Sequence, residues 1–258
     1  MNKDIIIAIP AYNEEENIGA LFDKMIEAKV FDKADVLVVN DGSSDRTEEI
    51  CRQYGVNVIT HVYNLGYGGA LKTAYKYAVR NDYKHLVQMD ADGQHDVCNI
   101  NLIYDELIEG KRDIVIGSRF LKGSYKYKSP LHKRIVVAFF NLMIRMATKQ
   151  KITDPTSGLQ GLSSQAVKYY AGYNKFSIDY PDANMVIQMI LNDFNVGEIP
   201  AVMHPRTAGV SMHSGIYKPI KYIIKMIIST SVVILREKLA QDTRPSGVNS
   251  EKKPEISA

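Results

Sequence analysis

Five short, largely apolar runs punctuate the first half of the chain, each separated from the next by a segment of helical period. They are Ile5 to Ile9, Val36 to Val39, Val56 to Ile59, Leu86 to Met89 and Ile114 to Ile116. Runs of this kind fit strands buried on both faces, whereas a half-exposed strand would alternate apolar and polar residues. Between them, Glu15 to Lys29 carries Ile18, Leu21, Phe22, Met25 and Ile26 at helical spacing. A second helix is expected from Asp45, where Asp45 and Glu48 fit a capping box, to Gly55. Further helices are expected at Gly69 to Arg80 and at Val97 to Glu109 before Gly110. Strand and helix in alternation predict an α/β fold with a mostly parallel sheet covered by helices on both faces. The length, 258 residues, suits one larger domain able to bury its own core.

The polar clusters sit directly after the strands. Pro10-Ala11-Tyr12-Asn13-Glu14 follows the first, Asn40-Asp41-Gly42-Ser43-Ser44-Asp45 the second, and Asp90-Ala91-Asp92-Gly93-Gln94 the fourth. Open α/β sheets bind ligands at the carboxyl ends of their strands, so three such clusters predict one site. Asp90, Asp92 and Gln94 place two carboxylates and an amide at alternate positions. That pattern suits a hard cation such as Mg²⁺ shared with substrate phosphates, although a solvated turn has the same composition. The Asn40 to Asp45 cluster reads equally as a turn with a helix cap, or as a place where Asp41 meets a nucleobase or ribose. Gly66-Tyr67-Gly68-Gly69 opens a helix and would let a diphosphate approach backbone N–H groups. It follows the third strand and has Leu71 where a third glycine is needed, which disfavours a dinucleotide fold. Arg119 follows the fifth strand, and Arg206 lies in a loop containing Gly209 and Gly215. Both suit bidentate phosphate binding, with a surface salt bridge as the plain alternative for each.

Several classes are disfavoured. The only cysteines are Cys51 and Cys98, too few for a disulfide scaffold, so a reducing compartment is expected. His95 and Cys98 lack the second pair a zinc site requires. Neither a G-x-S-x-G elbow nor a G-x-x-x-x-G-K-[ST] loop occurs. Asn2, Lys3 and Asp4 run straight into the first strand without a secretory signal. A net charge of +3 argues against a nucleic-acid binder.

After Gly117 the pattern changes. Leu131 to Thr148 is a strongly apolar helix with basic residues at both ends, and Asp154-Pro155-Thr156-Ser157-Gly158 is a turn. Asp182 to Asn192 reads as a helix, and Val196 to Val202 as a strand broken by Pro200. The apolar stretch from about Ile216 to Leu235 is long enough to span a bilayer, but it contains Lys218, Lys221 and Lys225. At helical spacing those lysines share one face, with Ile220, Ile223, Ile224, Ile227 and Ile228 expected on the other. This predicts a helix lying in a membrane interface; a helix packed on the domain is the alternative. The domain plan is therefore a catalytic or binding domain over 1–215 that includes the helix at about 131–148, an interface helix over 216–236, and a polar, disordered tail over 237–258.

Taken together, the strand-end clusters, with His95 and Gly117-Ser118-Arg119-Phe120, resemble inverting family-2 glycosyltransferases of the GT-A fold. The similarity is to the branch of dolichyl-phosphate mannose synthases and polyprenyl-phosphate sugar synthases. Asp154 to Gly158 and Arg206-Thr207-Ala208-Gly209-Val210-Ser211 also look like that branch, and the likeness covers about Ile5 to Arg236. The resemblance implies a nucleotide-sugar donor, UDP or GDP, with Pro10, Tyr12, Glu14 and Asp41 at its base and ribose. It implies Mg²⁺ or Mn²⁺ and the donor diphosphate on Asp90, Asp92 and Gln94. Arg119 and Arg206 would steady the phosphates and the leaving nucleotide, with Asp154 near the acceptor. One departure is Tyr180-Pro181-Asp182-Ala183-Asn184, where many relatives acting on sugars carry a Glu-Asp pair, so only Asp182 could stand as a base. A polyprenyl phosphate acceptor, largely ionised at neutral pH with a second pKa of about 6, would need no base. A hydroxyl acceptor, such as a lipid-linked or cell-surface saccharide, would need Asp182 or Asp154 in that role. A non-catalytic nucleotide-sugar-binding subunit beside a membrane partner is the remaining alternative.

The charge is also unevenly spread. From Ile114 to Thr153 there are nine basic residues and no acidic one, and from Ile199 to Arg236 five and again none. Both stretches contain the apolar helices, the pairing expected at an anionic membrane surface. The expected location is thus cytoplasmic, peripheral on the inner face of the cell membrane, with room for a small integral membrane partner.

Overall fold

The computed structural model describes residues 3–124, 131–173, 176, 181–205 and 217–242. Among these lies a seven-stranded sheet of β1 (Ile5–Ala11), β2 (Asp35–Asn40), β3 (Asn57–Thr60), β4 (His85–Gln88), β5 (Ile114–Ser118), β6 (Gln160–Ser163) and β7 (Val196–Pro200). Its order is β3-β2-β1-β4-β6-β5-β7. All pairings are parallel except those of β6, which runs antiparallel to both β4 and β5. The expected mostly parallel sheet is therefore present, with one reversed strand inserted at its middle.

Strands β1 and β2 are apolar along nearly their whole length because both faces are covered. Ile6 and Ala8 of β1 join Leu37 and Val39 of β2 in one core. Ile5, Ile7 and Ile9 join Val36 and Val38 in the core on the opposite face. The second face is closed by α1 (Ile18–Glu27), α2 (Val30–Lys33), α3 (Thr47–Gln53) and α5 (Cys98–Ile108). The first is closed by α4 (Tyr67–Arg80), α6 (Leu131–Thr148), α7 (Ser164–Gly172), α8 (Ala183–Leu191) and α9 (Tyr217–Asp242). Each fully buried side chain, such as Phe22, Leu37 or Leu86, contributes about 1.5–3 kcal/mol of transfer free energy.

Some expectations need correction. The capping box at α3 does not form. Asp45 does accept from the Thr47 backbone N–H at 3.0 Å, but Glu48 turns to Arg52 and Thr60 instead. Short α2, β6 and α7 were not foreseen. Helix α9 continues to Asp242, past the expected end at Arg236; residues 243–258 of the expected tail lie outside the described residues.

The faces of α9 also differ from the expected split. Lys221 and Lys225 are exposed, but so are Ile224 and Ile228, together with Val232, Leu235 and Leu239 further along. Turned inward are Met226, Thr230, Val233 and Glu237. The inner seam with α8 is partly polar: the Asn184 amide donates to Ser229 Oγ at 2.8 Å and that of Asn192 to Glu237 at 3.1 Å. Arg236 reaches Gln188, whose own amide donates to the Tyr169 hydroxyl at 3.0 Å. Helix α6 likewise shows an outward stripe of Ile135, Phe139, Leu142 and Met146, beside exposed Arg134 and Arg145. No helix among the described residues is long and apolar enough to cross a membrane.

Candidate active site

The carboxyl ends of β1, β2, β4 and β5 share one edge of the sheet. Because β6 is reversed, its start joins them there and delivers the turn at 154–158. The loops after β1 and β2 interlock through their polar side chains. Asn13 N–H donates to Ser43 Oγ and Ser44 N–H to Asn13 Oδ1, both at 2.9 Å, and Glu14 N–H donates to Thr47 Oγ1 at 2.9 Å. Pro10 is buried in the strand, Tyr12 stands half exposed, and the Glu14 carboxylate accepts from Asn17 at 2.7 Å.

Asp41, 3% exposed, spends its oxygens on the chain itself. Oδ1 accepts from Leu65 N–H and Oδ2 from Gly66 N–H, each at 2.8 Å. His61 Nδ1 lies 2.7 Å from Oδ1, while its Nε2 meets Thr73 Oγ1 at 2.9 Å. Gly42 makes this approach possible: at φ +71° its absent Cβ would lie 2.9 Å from the Tyr63 backbone. Asp41 thus anchors the loop that leads into α4, and His61, not singled out from the sequence, completes the anchor.

The same helix start reaches the acidic cluster. The Tyr67 hydroxyl donates to Asp90 Oδ1 at 2.9 Å. Asp90 N–H donates to His95 Nδ1 at 3.1 Å, and His95 Nε2 stands 3.7 Å from Asp90 Oδ2. Gly158 lies against the pair, with the position of an added Cβ only 2.6 Å from Asp90 Oδ2. Burial pushes the Asp90 carboxyl above the ordinary carboxylate range. The neighbouring Asp92 charge adds to that shift, while His95, Tyr67 and Arg119 oppose it. Burial, with the charges of Asp90 and Asp182 behind it, also holds the Tyr67 phenol well above its ordinary value. Asp92 is buried and accepts from Gln94 N–H at 3.0 Å. The Gln94 amide donates to His204 C=O at 3.3 Å, and Asn99 exchanges two hydrogen bonds with the Val202 backbone. Residues 202–204 are thereby laid along 94–99.

Arg119 and Asp154 form a bidentate pair. Nε and Nη2 donate to the two carboxylate oxygens at 2.6 and 2.7 Å, and Asp154 is 0% exposed. Below it, Glu198 accepts from Thr153 N–H and Asp154 N–H at 2.7 and 2.8 Å. Burial raises the Glu198 carboxyl above its usual range, against these donors. Arg119 also donates to Thr156 Oγ1 at 2.9 Å. A carboxylate so enclosed has no oxygen facing an acceptor, so the geometry disfavours Asp154 as a base. Asp182 stands at the N-terminus of α8, close enough to Tyr67 for its charge to act on the phenol. Arg206 lies outside the described residues.

Among the expected residues, Asp90, Asp92, Gln94, Arg119 and Asp154 converge on this edge with the loops of Tyr12, Glu14 and Asp41. Tyr67, His95, His61 and Glu198 are the partners that the sequence did not assign. The acid pair fits a divalent ion: it sets two hard carboxylate donors, Asp92 buried and Asp90 one-third exposed, at one strand end. Among the described residues no set of three or more His, Cys, Asp or Glu could hold a metal. Such a site would use two carboxylates plus substrate oxygens, as Mg²⁺ commonly does.

Comparison with known proteins gives the family and the fold. The profile of glycosyl transferase family 2 matches residues 6–170. The polyprenol monophosphomannose synthase of Mycolicibacterium smegmatis is 28% identical, with 81% of each chain covered. The UDP-N-acetylglucosamine–dolichyl-phosphate N-acetylglucosaminyltransferase of Methanococcus voltae is also 28% identical, with 77% of this chain and 85% of that one covered. In fold, the chain matches a glucosyl-3-phosphoglycerate synthase from Mycobacterium tuberculosis in complex with Mn²⁺ and UDP-glucose. The TM-score is 0.62 at 18% identity, over 89% of this chain and 78% of that one. The chain is a glycosyltransferase of family 2, with the GT-A fold, and its relatives put it on the polyprenyl-phosphate sugar synthase branch.

Proposed function

We propose that this enzyme moves a sugar from a UDP- or GDP-sugar to a polyprenyl phosphate at a membrane surface, in one inverting displacement assisted by Mg²⁺ or Mn²⁺. The observation that carries the reading is the delivery of Asp90 and Asp92 to the edge that also holds Arg119 and the Tyr12 and Asp41 loops. Half-exposed Tyr12 offers a stacking face for the base beside buried Pro10, and Glu14 from the same loop is the candidate for the ribose. The role of Asp41 is indirect, through the Leu65–Gly66 loop whose N–H groups it holds. A divalent ion on Asp90 and Asp92, with Gln94 beside it, would supply charge stabilisation to the diphosphate as it leaves. The pairing of residues 202–204 with 94–99 supports Arg206 as a second cation for that diphosphate.

The acceptor follows from what the base candidates can do. Asp154 gives both oxygens to Arg119, leaving Asp182 of the two expected candidates for deprotonating a hydroxyl. An ionised phosphate needs positioning rather than deprotonation, and this favours the lipid phosphate over a saccharide. The relatives support the same acceptor while differing in sugar: one is a mannose synthase and one an N-acetylglucosaminyltransferase, both named for polyprenol or dolichyl phosphate chemistry. The outward apolar stripes of α6 and α9, with Arg134, Arg145, Lys221 and Lys225 exposed beside them, suit a peripheral position on an anionic leaflet, the cytoplasmic face of the cell membrane. In this reading residues 1–215 carry the chemistry and the helix from 216 onward carries the attachment.

The test is incubation with radiolabelled UDP- and GDP-sugars, divalent ions and either a short-chain polyprenyl phosphate or a free saccharide. Label is expected in the lipid phosphate, dependent on Mg²⁺ or Mn²⁺, and abolished in Asp92→Asn while the melting temperature holds. Transfer to the saccharide alone, or undiminished turnover in Asp92→Asn, would sink this assignment.

A further inference from the structure

We infer that Tyr67 is a positioning residue for the acid pair, and that it ties the aim of Asp90 to the loop that holds the donor. The inference rests on the metal-assisted reading above and adds a residue that neither the strand-end motifs nor the relatives identify.

An Asp just past a strand end has two side-chain torsions to fix, and an unfixed carboxylate presents its lone pairs over a broad arc. Asp90 is fixed by two partners: Tyr67 donates to Oδ1 at 2.9 Å and His95 Nε2 stands 3.7 Å from Oδ2, while Gly158 leaves the space beside the Tyr67–Asp90 contact that a Cβ would fill. His95 and Gly158 come from segments near Asp90 in the sheet, namely its own turn and the start of β6. Tyr67 comes from elsewhere. It is the first residue of α4, and Gly66, just before it, is held by Asp41 Oδ2 at 2.8 Å. A continuous path therefore runs from the end of β2, through Asp41, Gly66 and Tyr67, to the end of β4. The helix start that follows Gly66, Tyr67-Gly68-Gly69, is the glycine-rich stretch suited to phosphate oxygens. A donor that settles on this loop sets the Tyr67 hydroxyl, and the hydroxyl sets which Asp90 oxygen is turned toward the ion.

Outer partners that orient a metal-binding carboxylate are typically worth 10–100-fold in metal affinity or activity. Tyr67→Phe keeps the buried ring and removes only the hydroxyl. Mn²⁺ binding to the purified full chain, with and without UDP or GDP, can be followed by electron paramagnetic resonance of the free ion. Alongside it, transfer can be measured against Mn²⁺ concentration. Tyr67→Phe is expected to bind Mn²⁺ roughly tenfold more weakly, with a matching rise in the Mn²⁺ concentration at half-maximal rate and kcat recovered at saturation. Asp92→Asn, run in parallel, separates the two claims. Loss of Mn²⁺ binding in Asp92→Asn with wild-type binding in Tyr67→Phe overturns the role of Tyr67 and leaves the metal reading standing. Wild-type binding in Asp92→Asn overturns the metal reading and this inference with it. If Tyr67→Phe melts well below wild type, Gly158→Ala disturbs the same contact by another route, since its Cβ would lie 2.6 Å from Asp90 Oδ2 and 2.9 Å from the Tyr67 hydroxyl. A folded Gly158→Ala with unchanged Mn²⁺ affinity would equally overturn the positioning of Asp90.

Discussion

The sheet edge and the helical layer of α6, α8 and α9 treat polar groups in opposite ways. At the edge, polar side chains are buried or half-buried and bonded to one another: Arg119 to Asp154, Asp41 to His61, Tyr67 to Asp90. On the helical layer, amides and ions line the inner seam while Leu142, Met146, Ile228 and Leu235 face outward. Buried polar groups and exposed apolar patches are the two observations that ordinary folding does not explain. The edge is arranged to hold charge away from bulk water; the layer is arranged to meet something less polar than water. One chain thus carries two surfaces suited to two media, joined through α8, whose N-terminus carries Asp182 and whose length is packed against α6 and α9.

The sharpest way to break this contrast is at the buried pair. Arg119→Ala leaves Asp154 enclosed without its counter-charge, and a loss of about 3–5 kcal/mol is expected, read from urea unfolding. An unchanged midpoint would mean that Asp154 is not held as charge, and the edge would lose its distinction from the layer. On the helical side the expected stability effect is small and the binding effect larger. Leu235→Glu, on the outward stripe, should stay within about 0.5 kcal/mol of wild-type stability. It should weaken flotation with anionic vesicles roughly thirtyfold, since about 2 kcal/mol of apolar burial in the interface is lost. Equal flotation of the two proteins would leave α9 as an ordinary packed helix.

The smallest effect concerns Glu198, beneath the edge, whose carboxyl is raised by burial. A raised acid keeps its proton in the folded protein after the unfolded chain has lost it, so folding weakens as pH climbs out of the ordinary Glu range. Wild type should therefore lose stability relative to Glu198→Gln as pH rises above the ordinary Glu range, measured as the pH dependence of the unfolding free energy. A difference of opposite slope would show that the backbone donors on Glu198 outweigh its burial.

The first half of the fold was legible because strands covered on both faces must be apolar throughout, and β1 and β2 are buried along nearly their whole length. Strand β6 was not, since Gln160-Gly161-Leu162-Ser163 has neither an apolar run nor strict alternation. At the site, Asp90, Asp92 and Arg119 were legible from their place after strands. Their partners were not. Tyr67 reads as one more aromatic at a helix start, and Glu198 as an isolated acid in a strand, because a hydrogen bond across the sheet leaves no periodic mark. The faces of α9 were misread for a related reason: lysine spacing reveals which side meets solvent only if the other side is apolar, and here the inner side is partly amide and hydroxyl.

The reversed strand has a consequence for how the chain is made. Strands β1 to β4 can pair as soon as they leave the ribosome, but the outer edge of β4 accepts only β6, some seventy residues later in the chain. Strand β5, synthesised in between, has no earlier strand to pair with. For that interval the nascent protein carries an open, apolar strand edge at what will become the centre of its sheet, the feature that favours aggregation. The segment that finally covers it is the one that brings Asp154 and Gly158, so this part of the site arrives only as the open edge is covered.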